Sequence, residues 1–206
     1  MVKVKICGLT NAEDALKAHE LGADYLGFVF FDNSPRKITL SEARLIMREL
    51  PKEAVKVGLF LDQEPDAVKR AADECGLNII QLHGSEDPGY CIRIKKYLSV
   101  LKAFRVKDGN SLNNIDSYKS VDFYLFDAYV KGLPGGTGKS FDWEILAKRD
   151  FNKPIFLAGG LTPKNVKKAI EKVSPYAVDV ASGVEKEPGK KDHKLLKEFI
   201  ENAKKK

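Results

Sequence analysis

The chain opens on a strand that leads directly into a helix, in the stretch Val2-Lys3-Val4-Lys5-Ile6-Cys7-Gly8-Leu9-Thr10-Asn11. Apolar and polar residues alternate with a period of two as far as the cysteine, which is typical of a β-strand. The glycine breaks this alternation, and the threonine or asparagine that follows can cap a helix reaching Leu21. This segment therefore predicts one strand-and-helix unit.

The same unit recurs along the whole chain. Eight strands are predicted, over Val2–Cys7, Asp24–Phe30, Val55–Leu61, Asn78–Leu82, Val100–Phe104, Phe123–Phe126, Pro154–Leu157 and Ala177–Val180. Helical patterns follow them, among them a weaker one over Ser111–Lys119 and one that begins at Thr162. Apolar runs such as Leu26–Phe30 suit parallel strands that are buried on both faces.

Two parallel α/β architectures fit this order of elements. Alternating strands and helices also occur in an open, doubly wound sheet. The strand count of eight, and the Gly/Ser/Thr-rich segments that follow strands, favour a closed barrel with its active site at the carboxyl ends of the strands. We therefore predict a single-domain (β/α)8 TIM barrel over residues 1–206.

Composition and charge exclude several classes of protein. Hydrophobic residues make up 43% of the 206 residues, as in ordinary globular proteins. No segment approaches the roughly 18 apolar residues of a membrane span, and the first strand does not resemble a signal peptide. The net charge of +6 comes from lysines spread along the chain, so we expect no nucleic-acid or membrane partner. Three separated cysteines indicate free thiols, and we expect a cytoplasmic protein.

Two residues at predicted strand ends are candidates for acid and base chemistry. Cys7 closes the first strand, although a free cysteine is more often a small buried hydrophobe. Lys5 faces the same way two residues earlier, and we hypothesise that its ammonium favours the Cys7 thiolate. Asp127 ends the sixth strand, where a carboxylate is either a cap or a site acid. Together Cys7 and Asp127 would form an acid/base couple across the barrel mouth.

Three glycine-rich segments follow the last strands and are candidates for anion binding. The segment 135–140, which contains Gly136, lacks the spacing of a phosphate-binding P-loop and is either an active-site loop or an ordinary turn. Gly159 and Gly160 follow the seventh strand, and Ser182 and Gly183 follow the eighth. Glycine lets backbone N–H groups approach a phosphate, and barrels commonly bind phosphate with these last two loops.

Two further residues are candidate substrate contacts. Arg36 follows the second strand and can hold a carboxylate through its planar fork, unless it is a solvated loop charge. His83 ends the fourth strand and is either a structural imidazole or a substrate contact. No His/Asp/Glu cluster has metal-ligand spacing, so we expect no metal.

Seven segments together resemble the phosphoribosylanthranilate isomerase family of tryptophan biosynthesis. They run in family order from the first strand to the last helix. The segments are Lys5-Ile6-Cys7-Gly8-Leu9-Thr10, Gly27-Phe28-Val29-Phe30, Ser34-Pro35-Arg36, Gln81-Leu82-His83-Gly84, Gly135-Gly136-Thr137-Gly138 with Phe141-Asp142-Trp143, Ala158-Gly159-Gly160-Leu161, and Asp179-Val180-Ala181-Ser182-Gly183-Val184-Glu185 with Pro188-Gly189-Lys190-Lys191-Asp192.

The resemblance implies an Amadori rearrangement of an N-ribosyl anthranilate 5-phosphate to its 1-deoxyribulose form, without cofactor or metal. Asp127 would be the general acid and Cys7 the general base. Arg36 would face the anthranilate carboxylate, and Gly160 and Gly183 would offer N–H groups to the phosphate. A monomer or a homodimer is expected.

Two alternatives remain open at this point. One is another phosphate-binding barrel enzyme of tryptophan or histidine biosynthesis, which would carry a different set of residues at the barrel rim. The other is a non-catalytic basic binding protein, which would show clustered Lys and Arg with interleaved aromatic residues.

Overall fold

Eight parallel strands close into a barrel in the computed structural model of the chain, which describes residues 1–128 and 141–205. Each strand pairs with the next, and the last pairs with the first. The strands are β1 (Lys3–Ile6), β2 (Tyr25–Val29), β3 (Lys56–Phe60), β4 (Ile79–Leu82), β5 (Ser99–Val106), β6 (Phe123–Ala128), β7 (Ile155–Leu157) and β8 (Ala177–Val180). The predicted closed barrel is therefore confirmed.

Helices pack around the outside of the barrel. They are α1 (Ala12–Glu20), α2 (Leu40–Glu49), α3 (Pro65–Cys75), α4 (Pro88–Lys95), α5 (Glu144–Ala147), α6 (Val166–Val173) and α7 (His193–Lys204). Their ends follow local chemistry. Asn11 caps α1 by accepting from the Asp14 N–H, and Thr39 and Glu42 form a reciprocal capping box on α2. Within the described residues, no helix is long and apolar enough to cross a membrane.

The buried side chains form two layers that the strand alternation separates. One cluster, which includes Val57, Leu101, Leu125 and Phe156, fills the inside of the barrel. A larger cluster lies between the strands and the helices. Successive side chains on a strand point to opposite faces, so each strand contributes to both layers. The residues at the carboxyl ends of the strands lie above this inner layer.

The structure departs from the prediction between β5 and β6. The helix predicted over Ser111–Lys119 is wrong, because the segment instead forms two short 3-10 turns, Gly109–Leu112 and Ile115–Tyr118. Asp108 accepts from the Asn110 N–H at the start of the first turn. Aspartate, asparagine and serine side chains hydrogen-bond nearby backbone groups and so compete with a continuous helix.

Two more differences lie near the last strands. Helix α6 begins at Val166 rather than at Thr162, because the Thr162 N–H donates to the Asn165 side chain before the helix starts. After β8 the chain forms a small hairpin that the sequence pattern did not predict, with strands β9 (Glu185–Glu187) and β10 (Lys190–Lys191). This hairpin lies between β8 and α7 and carries two residues of the site described next.

Candidate active site

The predicted acid and base lie at the same end of the barrel. Cys7 directly follows β1, and Asp127 is the penultimate residue of β6. Since all eight strands are parallel, their carboxyl ends meet at one rim, where TIM-barrel enzymes place their chemistry. Cys7 is 5% exposed and Asp127 is 8% exposed. The rim therefore carries a largely dehydrated thiol and a largely dehydrated carboxyl group.

A buried ion pair lies inside the barrel below Cys7. Lys5 is on the face of β1 opposite to Val4 and Ile6, so its side chain points into the barrel, where it is fully buried. Its Nζ lies 2.8 Å from Asp179 Oδ1 on the neighbouring strand β8. A Cβ added to Gly27 would lie 3.0 Å from Cys7 Sγ and 3.1 Å from Lys5 Nζ. The thiol and the ammonium therefore lie beside the same glycine.

The ionisation of Cys7 depends on these neighbours. Burial raises the pKa of the Cys7 thiol, and Asp179 raises it further. The Lys5 ammonium lowers that pKa, as hypothesised from the sequence, but it does not outweigh burial. Burial lowers the pKa of Lys5, but the ion pair with Asp179 opposes this effect, and the net direction is upward. At neutral pH the rim therefore carries a protonated Cys7 beside a charged Lys5.

Asp127 is held by its own backbone and faces His83. Its Oδ1 accepts a hydrogen bond from the Ala128 N–H at 2.8 Å, and its Oδ2 lies 3.4 Å from His83 Nε2. That second contact is not aligned as a hydrogen bond, and His83 Nε2 has no hydrogen-bond partner among the described residues. Gln81 lies 2.9 Å from the other ring nitrogen, Nδ1, and fixes the imidazole plane. His83 Nε2 is therefore a buried polar atom that lies beside the Asp127 carboxyl group without a hydrogen bond.

The loops after β7 and β8 touch each other. A Cβ added to Gly183 would lie only 1.9 Å from the Leu161 carbonyl oxygen, so no larger residue fits between the loops. Gly159 and Gly160 both have positive φ, at 85° and 65°, and Gly159 packs against Asp127 and Ala128. Among the described residues, the Gly160 and Gly183 N–H groups donate no hydrogen bond. These two loops thus combine into one region of spare backbone donors, which Ser182 adjoins.

The remaining predicted site residues are placed differently. Arg36 lies at the same rim, but its guanidinium is paired with Glu185 at 2.7 Å rather than exposed to solvent. The alternative of a solvated loop charge is therefore wrong, since the Arg36 side chain is only 11% exposed. Gly136 lies in the segment 129–140, outside the described residues. Across residues 1–128 and 141–205, no group of three or more His, Cys, Asp or Glu could hold a metal ion.

Comparison with known proteins assigns the chain to a family. The family model of N-(5'phosphoribosyl)anthranilate (PRA) isomerase matches residues 4–202. A relative from Geobacter sp. strain M21, named N-(5'-phosphoribosyl)anthranilate isomerase, is 53% identical over 205 residues, which is 100% of this chain and 99% of the relative. The chain belongs to the PRA isomerase family.

Solved structures of PRA isomerases agree with this assignment. The enzyme from Thermotoga maritima is similar with a TM-score of 0.93 and 45% identity, over 99% of each chain. Another PRA isomerase structure, in complex with reduced 1-(o-carboxyphenylamino)-1-deoxyribulose 5-phosphate, has a TM-score of 0.90 and 44% identity, again over 99% of each chain. The predicted family, the predicted isomerase class and the TIM barrel are therefore confirmed.

The sequence patterns missed three charged residues in this PRA isomerase family member. Asp179, Glu185 and Lys191 are buried partners of the predicted site residues. Asp179 had a visible signal, because a lone charge inside the apolar run of β8 needs a buried partner. Glu185 and Lys191 stand in a polar segment, where the sequence gives no sign that they are buried.

Proposed function

We propose that this chain converts N-(5'-phosphoribosyl)anthranilate into 1-(2-carboxyphenylamino)-1-deoxyribulose 5-phosphate in tryptophan biosynthesis, with Asp127 as general acid and Cys7 as general base. One observation carries the assignment of roles. A buried carboxyl and a buried thiol stand on the same barrel rim, at β6 and β1, and the glycine loops after β7 and β8 lie between them in the barrel order.

The first step opens the ribose ring. Asp127 gives its proton to the ring oxygen, and the C1–O bond breaks as the anthranilate nitrogen lone pair forms a C1=N double bond. The result is an iminium cation. The backbone N–H of Ala128 holds the carboxyl group in place for this transfer, with His83 Nε2 3.4 Å away from its other oxygen.

The second step moves hydrogen away from C2. The iminium withdraws electrons from the C2–H bond, so its proton is acidic enough for a thiolate to remove. The bonding pair then forms a C1=C2 double bond while the C1=N pair returns to nitrogen. The enolamine that forms becomes the ketone by taking a proton at C1 and releasing the proton of its C2 hydroxyl. Oxidation at C2 balances reduction at C1, so the reaction needs no external oxidant or reductant.

Cys7 is suited to this step because its ionisation responds to charge. Its thiol is protonated at rest, since burial raises its pKa. An iminium cation that forms beside the thiol lowers its pKa, as the Lys5 ammonium does, and so favours the thiolate. The base would therefore be strongest when the intermediate that needs it is present.

The substrate's two anionic groups match the two remaining parts of the rim. The spare N–H groups of Gly160 and Gly183 suit the 5-phosphate, with Gly159 and Ser182 beside them. Arg36 suits the anthranilate carboxylate, and His83, whose Nε2 has no hydrogen-bond partner among the described residues, suits a sugar hydroxyl. Gly136 stays a predicted contact. We further propose that the protein acts in the cytoplasm as a monomer or a homodimer, which light scattering of the purified chain distinguishes.

The test is a direct activity assay. The labile substrate is generated by condensing anthranilate with ribose 5-phosphate, and its fluorescence is followed after the purified protein is added. We expect the fluorescence to decay faster than in the protein-free solution, with formation of the ketose product. A decay rate equal to that of the protein-free solution would refute the proposal.

A further inference from the structure

Arg36 is held by two oxygens of one carboxylate. Its Nη2 donates to Glu185 Oε2 at 2.7 Å, and its Nε lies 2.9 Å and 3.1 Å from the two carboxylate oxygens. The Glu185 side chain is only 4% exposed. A two-pronged contact of this kind fixes the plane of the guanidinium as well as its position.

Lys191 holds the same carboxylate from its other side. Its Nζ donates to Glu185 Oε1 at 2.8 Å, to the Cys7 carbonyl at 2.6 Å and to the Ala181 carbonyl at 3.3 Å. The Lys191 side chain is fully buried. It therefore ties the hairpin β9–β10 to the residue after β1 and to the residue after β8.

These three side chains carry one unbalanced positive charge. Arg36 and Lys191 lower the pKa of Glu185 despite its burial, so it is anionic. Burial lowers the pKa of Lys191, yet three acceptors surround its nitrogen, and only an ammonium has three N–H groups to satisfy them. The cluster Arg36–Glu185–Lys191 thus has a net charge of +1 in a largely buried setting. Such a charge is costly unless an anion compensates it.

The edge of Arg36 that faces away from Glu185 is the place for that anion. Glu185 occupies Nε and one side of Nη2, and no described residue accepts a hydrogen bond from Nη1. The outer Nη1/Nη2 edge is a fork that matches a carboxylate. A Cβ added to Gly8 would lie 2.5 Å from Arg36 Cδ, so the arginine stem crosses the residue next to Cys7. The stem of Arg36 therefore lies beside the residue that follows the proposed base.

We propose that Glu185 and Lys191 are positioning residues that aim the outer edge of Arg36 at the aromatic carboxylate of the substrate and leave one positive charge to receive it. The proposal rests on the proposed function, because it takes the anthranilate moiety as the bound group. It assigns the hairpin β9–β10 a role in substrate specificity, although neither residue touches the substrate.

The test compares the Kd of two ligands in a variant whose residue 185 keeps its negative charge. Glu185→Asp shortens the side chain by one methylene, so the carboxylate can no longer hold Arg36 with two oxygens and Lys191 at the same time. Calorimetry measures the Kd of reduced 1-(o-carboxyphenylamino)-1-deoxyribulose 5-phosphate and of the same compound without the ring carboxylate. We expect about a tenfold weaker Kd for the carboxylated ligand in Glu185→Asp, of the order of one lost charge-assisted contact, and a Kd within twofold of wild type for the other.

Two kinds of variant complete the experiment. Lys191→Met removes the positive charge as well as the support, so its loss of affinity for the carboxylated ligand should exceed that of Glu185→Asp. Glu187→Asp and Lys190→Met change an exposed ion pair on the same hairpin, 2.7 Å apart, and should bind both ligands like wild type.

The outcomes separate this proposal from the proposed function. A wild-type protein that binds neither ligand contradicts the function itself. If wild type prefers the carboxylated ligand but Glu185→Asp weakens both ligands equally, or weakens neither, Glu185 does not aim Arg36 and the positioning proposal is wrong. Loss confined to the carboxylated ligand supports it.

Discussion

The Lys5–Asp179 ion pair lies below Cys7, and we predict that removing either charge shifts the pKa of the thiol, in opposite directions for the two variants. Lys5→Met removes the positive charge beside the thiol, so the pKa of Cys7 should rise. Asp179→Asn removes the negative charge beside Lys5; with Lys5 still protonated, the pKa of Cys7 should fall, because Asp179 raises it in the wild type. A pair that served only to stabilise the fold would not produce shifts of opposite sign.

The expected size follows from distance. Cys7 Sγ and Lys5 Nζ lie at most about 6 Å apart, since each is about 3 Å from the position of an added Gly27 Cβ. At an effective dielectric constant of about 20, two charges at that distance interact by about 3 kcal/mol, which is about a 100-fold change in the thiolate population. Asp179 is at most about 9 Å from Sγ, which gives about 2 kcal/mol of the opposite sign.

The assay is alkylation of Cys7 by iodoacetamide, followed by peptide mass spectrometry. A thiolate of lower pKa is also a weaker nucleophile. On a logarithmic scale, this change in nucleophilicity cancels roughly half of the change in the thiolate population. At pH 7 we therefore expect alkylation about tenfold slower in Lys5→Met and about fivefold faster in Asp179→Asn. In both, the rate should rise with pH, with midpoints displaced in opposite directions from wild type.

A second ion pair on β1 provides the control. Lys3 and Asp24 lie 2.8 Å apart near the amino end of the strand, with the Lys3 side chain 48% exposed. Lys3→Met and Asp24→Asn should leave Cys7 alkylation unchanged. If Lys5→Met left the rate unchanged or raised it, the electrostatic role of Lys5 would be refuted.

Three further predictions concern the acid, the phosphate loops and a buried ion pair. Asp127→Asn should lower kcat by about 100- to 10,000-fold through loss of the proton donor, with the Kd of the reduced product analogue within threefold of wild type; a kcat near that of wild type would contradict the assignment. Gly183→Ala should raise KM at least tenfold by forcing two touching loops apart, whereas Gly109→Ala, where an added Cβ meets nothing within 4 Å, should leave KM unchanged; equal KM values in both would count against the phosphate site. Lys102→Met should reduce the free energy of unfolding in urea by about 3–5 kcal/mol, because it leaves the buried Glu86 carboxylate without its partner; a loss below 1 kcal/mol would show that this pair is not required.

The barrel was predictable because its signals are local. Runs such as Leu26–Phe30 are apolar on both faces, which only a strand covered on both sides requires, and the structure buries every residue of β2. The helix predicted over Ser111–Lys119 was wrong. Its helical spacing was weak, and asparagine and serine side chains in this segment bond the nearby backbone instead. The sequence pattern alone does not show whether helical spacing or side-chain hydrogen bonds to the backbone will decide the local structure.

Most of the site was predictable one residue at a time, but its pairings were not. Cys7, Asp127 and Gly183 stand out because each follows or ends a strand. The partner of Lys5 lies 174 residues away, and the partner of Arg36 lies 149 residues away. These pairs exist only because β8 closes the barrel against β1, and a single sequence contains the residues but not that register.

The central claim, that Cys7 removes the C2 proton, is tested most directly by the turnover of Cys7→Ser. An alcohol is a far poorer base than a thiol at neutral pH, so kcat should fall by at least about 1,000-fold while the reduced product analogue binds within threefold of wild type. Cys91→Ser changes another fully buried cysteine and should keep kcat within about threefold of wild type. A Cys7→Ser enzyme that turned over within tenfold of wild type would contradict the account.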